Sequence, residues 1–175
     1  VSGSDNGISF NRAEEVNFDF YSNAVLIADN NLVSPIADRA FSFYTYKLEG
    51  SFYDKNEKLI SKIKVTPKQT GDRVFKGFIY IVEDEWAIYG VDLIANGKQV
   101  GIPIIDELRF KQNYNYSAIN KAWVKISQTI DFKFGVFGFK VNGRFSAGYT
   151  NYNFKPSFSK KTFTISPFFG IIRVP

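Results

Sequence analysis

From Phe41 onward the chain alternates apolar and polar residues in run after run, and the breaks between runs are only a few residues long. Period-two alternation sends successive side chains to opposite faces of a strand. Such short breaks leave no room for the helical crossovers that parallel strands need. The expected fold is therefore mainly β, an antiparallel meander sheet with one or two short helices. Composition agrees: 19 Phe and 10 Tyr bring aromatics to 18%, and aromatic side chains suit pleated, half-buried surfaces.

Within this pattern, Val16–Phe20 is predicted as a short strand, and Asp29-Asn30-Asn31 as a turn after the apolar run Ala24–Ala28. Ser34-Pro35-Ile36-Ala37-Asp38 reads as a helix start, with Ser34 at the N-cap and Pro35 at the first helical position. In the strand that follows, Tyr44, Tyr46, Leu48 and Phe52 are expected to share one face. Asp54–Lys58 is a polar hairpin loop. Ile60–Thr66 returns with Ile63 and Val65 inward and Lys62 and Lys64 outward, and Pro67 ends it. Val74–Glu83 and Trp86–Ile94 make the clearest hairpin. A two-residue turn at Asp84-Glu85 sets Ile81 opposite Ile88 and Tyr80 opposite Tyr89, and the lack of Gly there suits a longer loop. Both faces of this hairpin are largely apolar, so each is expected to be covered, one by helix and loops and the other by another body. Asn96-Gly97-Lys98 reads as a turn. Leu108–Tyr116, Trp123–Phe134 and Phe139–Tyr149 complete the sheet, with Gly135 and Gly138 marking a bulge or bend. Residues 1–154 read as a single domain and residues 155–175 as an extended tail or linker.

The chain has no His and no Cys. This removes Ser-His-Asp chemistry, thiol nucleophiles, disulfides and most transition-metal sites. Carboxylates cluster at Glu14-Glu15, Glu83-Asp84-Glu85 and Asp106-Glu107, where charged residues are expected of turns and strand ends. Asp5-Asn6-Gly7 and Asp29-Asn30-Asn31 lack the spacing and distal Glu of a calcium loop. Phe132-Lys133-Phe134 and Phe139-Lys140-Val141 interleave basic and aromatic residues as nucleic-acid-stacking surfaces do, but strand alternation accounts for both. The expectation is no enzyme, no cofactor, no metal and no nucleic-acid partner. Net charge is +5 with scattered Lys and Arg. Lys62, Lys64 and Lys68 read as a solvated strand face, with a surface for anionic lipid headgroups or lipopolysaccharide as the second reading. The longest apolar runs fall far below the roughly 20 residues of a membrane helix. The chain opens at Val1 and contains no Met, which reads as a mature or excised segment of a larger protein.

Several strings taken together resemble the middle region of uncharacterised Bacteroidetes outer-membrane proteins. They are Phe20-Tyr21-Ser22-Asn23, Ser34–Ala40, Tyr46–Gly50, Lys62–Lys68, Val74–Trp86 and Val91-Asp92-Leu93. Those proteins carry an N-terminal carboxypeptidase-regulatory-like domain and a C-terminal β-barrel. The resemblance spans residues 1–154. It departs at Gln69, where the family usually has Arg after the Pro-Lys, and it fades after Lys155. The order of strands also resembles the periplasmic lipoprotein-carrier half-barrel, a curved sheet with an apolar concave surface.

The resemblance implies a domain on the periplasmic side of the outer membrane, near the membrane through an adjacent barrel. It would be a non-catalytic binding or docking module whose partners are neighbouring domains of the same protein and a lipid or acyl chain held on the concave sheet. Phe78, Tyr80, Tyr89, Phe110, Tyr114 and Trp123 are the candidate lining residues. A purely structural interdomain spacer is the alternative.

Overall fold

The computed structural model describes residues 17–136 and 139–150. Glu14-Glu15, Asp5-Asn6-Gly7, the start of the Val16–Phe20 run, Gly138 and the tail 155–175 lie outside them.

The fold is mainly β. A short hairpin, β1 (Ala24–Ile27) and β2 (Asn30–Val33), leads through α1 (Ala40–Phe43) into the main sheet. That sheet contains β3 (Tyr44–Tyr53), β4 (Leu59–Pro67), β5 (Lys76–Val82), β6 (Ile88–Ala95), β7 (Ile105–Ser117), β8 (Ala122–Val136) and β9 (Phe139–Gly148), with α2 (Gly97–Val100) between β6 and β7. The spatial order is the sequence order, and every pairing is antiparallel. The meander is open, with β3 and β9 at its edges.

Several expectations hold. Ile63 and Val65 face the core, Lys62 and Lys64 face away, and β4 ends at Pro67. Ile81 pairs with Ile88, across a turn longer than two residues in which the Trp86 amide donates to the Val82 carbonyl.

Others are corrected. Asn17–Asp19 are not in a strand. The helix starts at Ala40, not after Ser34, because Ser34–Arg39 close as successive turns and Arg39 supplies no side-chain cap. The Ser34 hydroxyl instead donates to the Phe20 carbonyl at 2.6 Å. The turn of the first hairpin is Ala28-Asp29, both at positive φ, as a primed turn requires. A register shift between Leu48 and Gly50 moves Phe52 to the face opposite Leu48. A second shift, after Tyr80, sets Tyr80 against Gly90 rather than Tyr89. Asn96 is a helix N-cap with a reciprocal capping box to Gln99, and left-handed Gly101 closes that helix. Gly135 lies within β8, paired with Lys140, so it does not bend the chain out of the sheet.

One face of the main sheet holds the core. Val65, Ile79, Val91, Leu93, Leu108, Phe110 and Ile130 pack there against Phe18, Phe20, Val25, Ile27, Leu32 and Ala40 from residues 17–43. The covering segment is fixed by hydrogen bonds that span the chain. Gln112 Nε2 donates to the Phe18 carbonyl at 2.7 Å and to Gln128 Oε1 at 2.6 Å. The Tyr44 hydroxyl donates to the Val33 carbonyl at 2.5 Å and accepts from the Phe75 amide at 3.0 Å. Tyr46 donates to the Pro35 carbonyl at 2.7 Å. Burial pushes the Tyr44 phenol far above its ordinary range and the Tyr46 phenol up to about 12.

The opposite face carries charge. Asp92 receives a two-pronged bond from Arg109 at 2.6 and 2.7 Å. Arg109 lies across from Asp131, and Asp131 across from Arg144, whose Nε donates to it at 2.5 Å. Lys133 meets Glu107 at 2.9 Å and Lys47 meets Glu49 at 3.2 Å. Glu107, Lys133, Arg109, Asp131 and Arg144 border an open depression of about 380 Å³ between β7, β8 and β9.

Candidate docking surface at the turn end of the sheet

In an antiparallel meander every second turn lies at the same end. Here the turns 54–58, 83–87 and 118–121 come together. Each strand pair enters its turn with apolar residues, and the turns themselves carry charge: Asp54, Lys55, Glu57 and Lys58 in the first, Glu83, Asp84 and Glu85 in the second, Lys121 in the third. Five carboxylates stand against three lysines, so this end is acidic within a basic chain.

Glu85 ties the three hairpins. Its carboxylate accepts from Lys58 Nζ at 2.6 Å and from the Trp123 indole at 2.5 Å. Those two bonds, Lys58 first, hold the Glu85 carboxyl below the usual carboxylate range. Glu83 accepts from the Ser61 hydroxyl and its amide donates to the Leu59 carbonyl at 3.0 Å. The carboxylate cluster of this turn is thus a clamp between hairpins.

Aromatic rings converge beside the clamp. Phe52 lies 6.4 Å from Tyr80 and 6.2 Å from Tyr89, and Trp123 lies 6.0 Å from both Tyr89 and Tyr116. All four contacts are edge-on, the geometry aromatic pairs favour. In register with Phe52, Ile60 (0% exposed) and Val82 (1%) are buried outside the main core cluster. They form a small second core at this end. Beyond it three side chains project into solvent: Trp86 at 79% exposure, Ile119 at 94% and Tyr53 at 70%. Trp86 sits at φ +52°, a conformation that bulky residues seldom adopt.

The six candidate lining residues do not form one surface. Tyr80, Tyr89 and Trp123 join the aromatic cluster. Phe78 lies on the charged face, with the Lys62 ammonium 4.3 Å above its ring. Phe110 and Tyr114 are buried on the core face. Phe110 packs edge-on against Phe18, Phe20 and Phe75, and the Tyr114 hydroxyl donates to Gln112 at 2.7 Å. Sequence reasoning missed Glu85 as a clamp, Phe52 as a ring partner, and Trp86 and Ile119 as exposed groups. The signal for the last two was legible: a large apolar residue inside a polar turn. Among the described residues, no group of three or more carboxylates is placed to hold a metal ion.

An antiparallel seven-stranded meander, sealed on one face by residues 17–43, defines the class of this domain. The chain belongs to DUF5686, a family of unknown function, whose model matches residues 1–152. No curated protein and no solved structure shows a significant match.

Proposed function

We propose that the domain is a non-catalytic docking module of a larger envelope protein, and that it engages an apolar segment of a neighbouring domain through the turn end of its sheet. The observation that carries this reading is the exposure of Trp86 and Ile119 on turns, and of Tyr53 at the end of β3, which Glu85 holds in fixed relation. Apolar groups of that size, gathered on ordered turns, mark contact surfaces, and Trp and Tyr are the side chains that dominate contact energy. The core face is occupied by Phe18, Phe20 and Leu32, which favours the turn end over the core side of the sheet as the place of contact. The resemblance to outer-membrane proteins supports a location on the periplasmic side of that membrane.

The test is limited proteolysis of the full-length protein carrying Trp86→Ser and Ile119→Ser together. The expected result is faster cleavage between this domain and its neighbour, with the domain's own Tm unchanged. A cleavage pattern identical to that of the parent protein would count against docking at this end.

A further inference from the structure

We propose that the open face of the sheet lies against an anionic lipid surface. On this face the carboxylates Glu49, Asp92, Glu107 and Asp131 are each engaged by a cation of the same face. Five lysines then remain: Lys62, Lys64, Lys76, Lys111 and Lys140. Strand register places all five on the side of Phe78 and Asp92, away from the core. None of the five has a carboxylate within ion-pair distance among the described residues. The excess is spread over β4, β5, β7 and β9, so positive charge extends across the sheet rather than filling a groove.

The form of the surface selects the partner. A protein partner held tightly needs a desolvated anchor pocket. The depression on this face is lined instead by the matched pairs Glu107–Lys133 and Asp131–Arg144. Single-stranded nucleic acid needs open ring faces for stacking. The Phe78 ring is covered by Lys62, and Tyr80 packs on Phe52. What remains is a broad array of flexible ammonium groups, exposed at Lys64, Lys76 and Lys140 and half-buried at Lys62 and Lys111, and this array is complementary to a plane of anionic headgroups. The proposal is independent of docking at the turn end, because none of its five lysines lies on the turns.

The test is sedimentation of the chain with vesicles of phosphatidylcholine alone and with 30% phosphatidylglycerol, at low salt. The expected result is partition onto the anionic vesicles alone, lost at high salt as charge screening requires. Each lysine near an anionic surface is worth about fivefold in partition. The triple change Lys64→Gln, Lys76→Gln, Lys111→Gln should therefore weaken binding about a hundredfold, while the matching triple change to Arg should keep it. Circular dichroism of both variants confirms the fold. Failure to bind the anionic vesicles, an unchanged partition for the Gln variant, or tighter binding to a DNA duplex than to the vesicles would each overturn the proposal.

Discussion

One face of the sheet, the side of Val65, Leu93, Phe110 and Ile130, is sealed by residues 17–43 of the same chain. The other, the side of Lys64, Phe78, Asp92 and Lys111, is covered by nothing comparable among the described residues. Both faces are written in the same alternating pattern, and the difference lies in how each is completed. The sealed face joins apolar burial to long-range hydrogen bonds from Gln112, Tyr44 and Tyr46. The open face balances most of its charge within itself and leaves lysines over. A domain built this way takes most of its stability from one side of the sheet, and the proposed contacts fall on the other side and at the turn end.

The largest expected effect falls on the sealed face. Phe110→Ala removes the ring on which Phe18, Phe20 and Phe75 converge, and should cost about 3–5 kcal/mol in urea unfolding. The same experiment on Phe78→Ala, on the open face, should cost well under half as much. Equal costs would mean that the open face is also core. Next, Gln112→Ala removes the amide that donates to the Phe18 carbonyl and to Gln128 and the oxygen that accepts from the Tyr114 hydroxyl, and should cost about 1–3 kcal/mol. Hydrogen exchange at the amides of residues 17–33 should rise before exchange in β7 does.

A pH titration sharpens the comparison further. Burial lowers the Lys125 ammonium to about 8, although Nζ donates to Asn17 Oδ1 at 2.7 Å and to the Phe18 carbonyl at 3.0 Å. Between that value and the ordinary lysine range the unfolded chain binds more protons than the folded one, so stability should rise with pH from about 8 to about 10. Above about 10 the raised phenols of Tyr21, Tyr44, Tyr46 and Tyr149 act in the opposite sense. There the unfolded chain loses protons first, and stability should fall. In Lys125→Met the rise should vanish and the fall should remain. A rise that persists would place the titrating group elsewhere.

The smallest effect belongs to the clamp. Glu85 is exposed, its carboxyl is held below the ordinary range, and so its contribution is present at neutral pH and is lost as pH falls through the carboxylate range. Glu85→Gln should cost well under about 1 kcal/mol, as exposed pairs do. It should nonetheless broaden the Trp123 indole proton resonance. An unchanged indole signal would mean that the three turns hold their relation without the clamp.

Much of the fold was legible. Alternation gave the meander, the outward Lys62 and Lys64, the end at Pro67 and the Ile81–Ile88 pair, because each rests on neighbours in one hairpin. Bulges were not legible. One added residue after Leu48 turns Phe52 to the other face, and one at Tyr89 breaks its pairing with Tyr80, yet neither changes the composition of its run. The role of residues 17–43 was hidden for a different reason. Phe18 meets Gln112 across 94 residues of chain, and no local periodicity carries such a contact. That is also why Phe110 and Tyr114 read as lining when they are core, while Phe78 and Tyr80, on strands of the same pattern, lie on the other side.

Acrylamide quenching of Trp86, with Trp123 and any tryptophan outside this chain replaced by Phe, tests the account most directly, because the remaining indole reports on the turn end. The account predicts strong quenching in this chain alone and marked protection in the full-length protein. Equal quenching in both would contradict docking through the turn end.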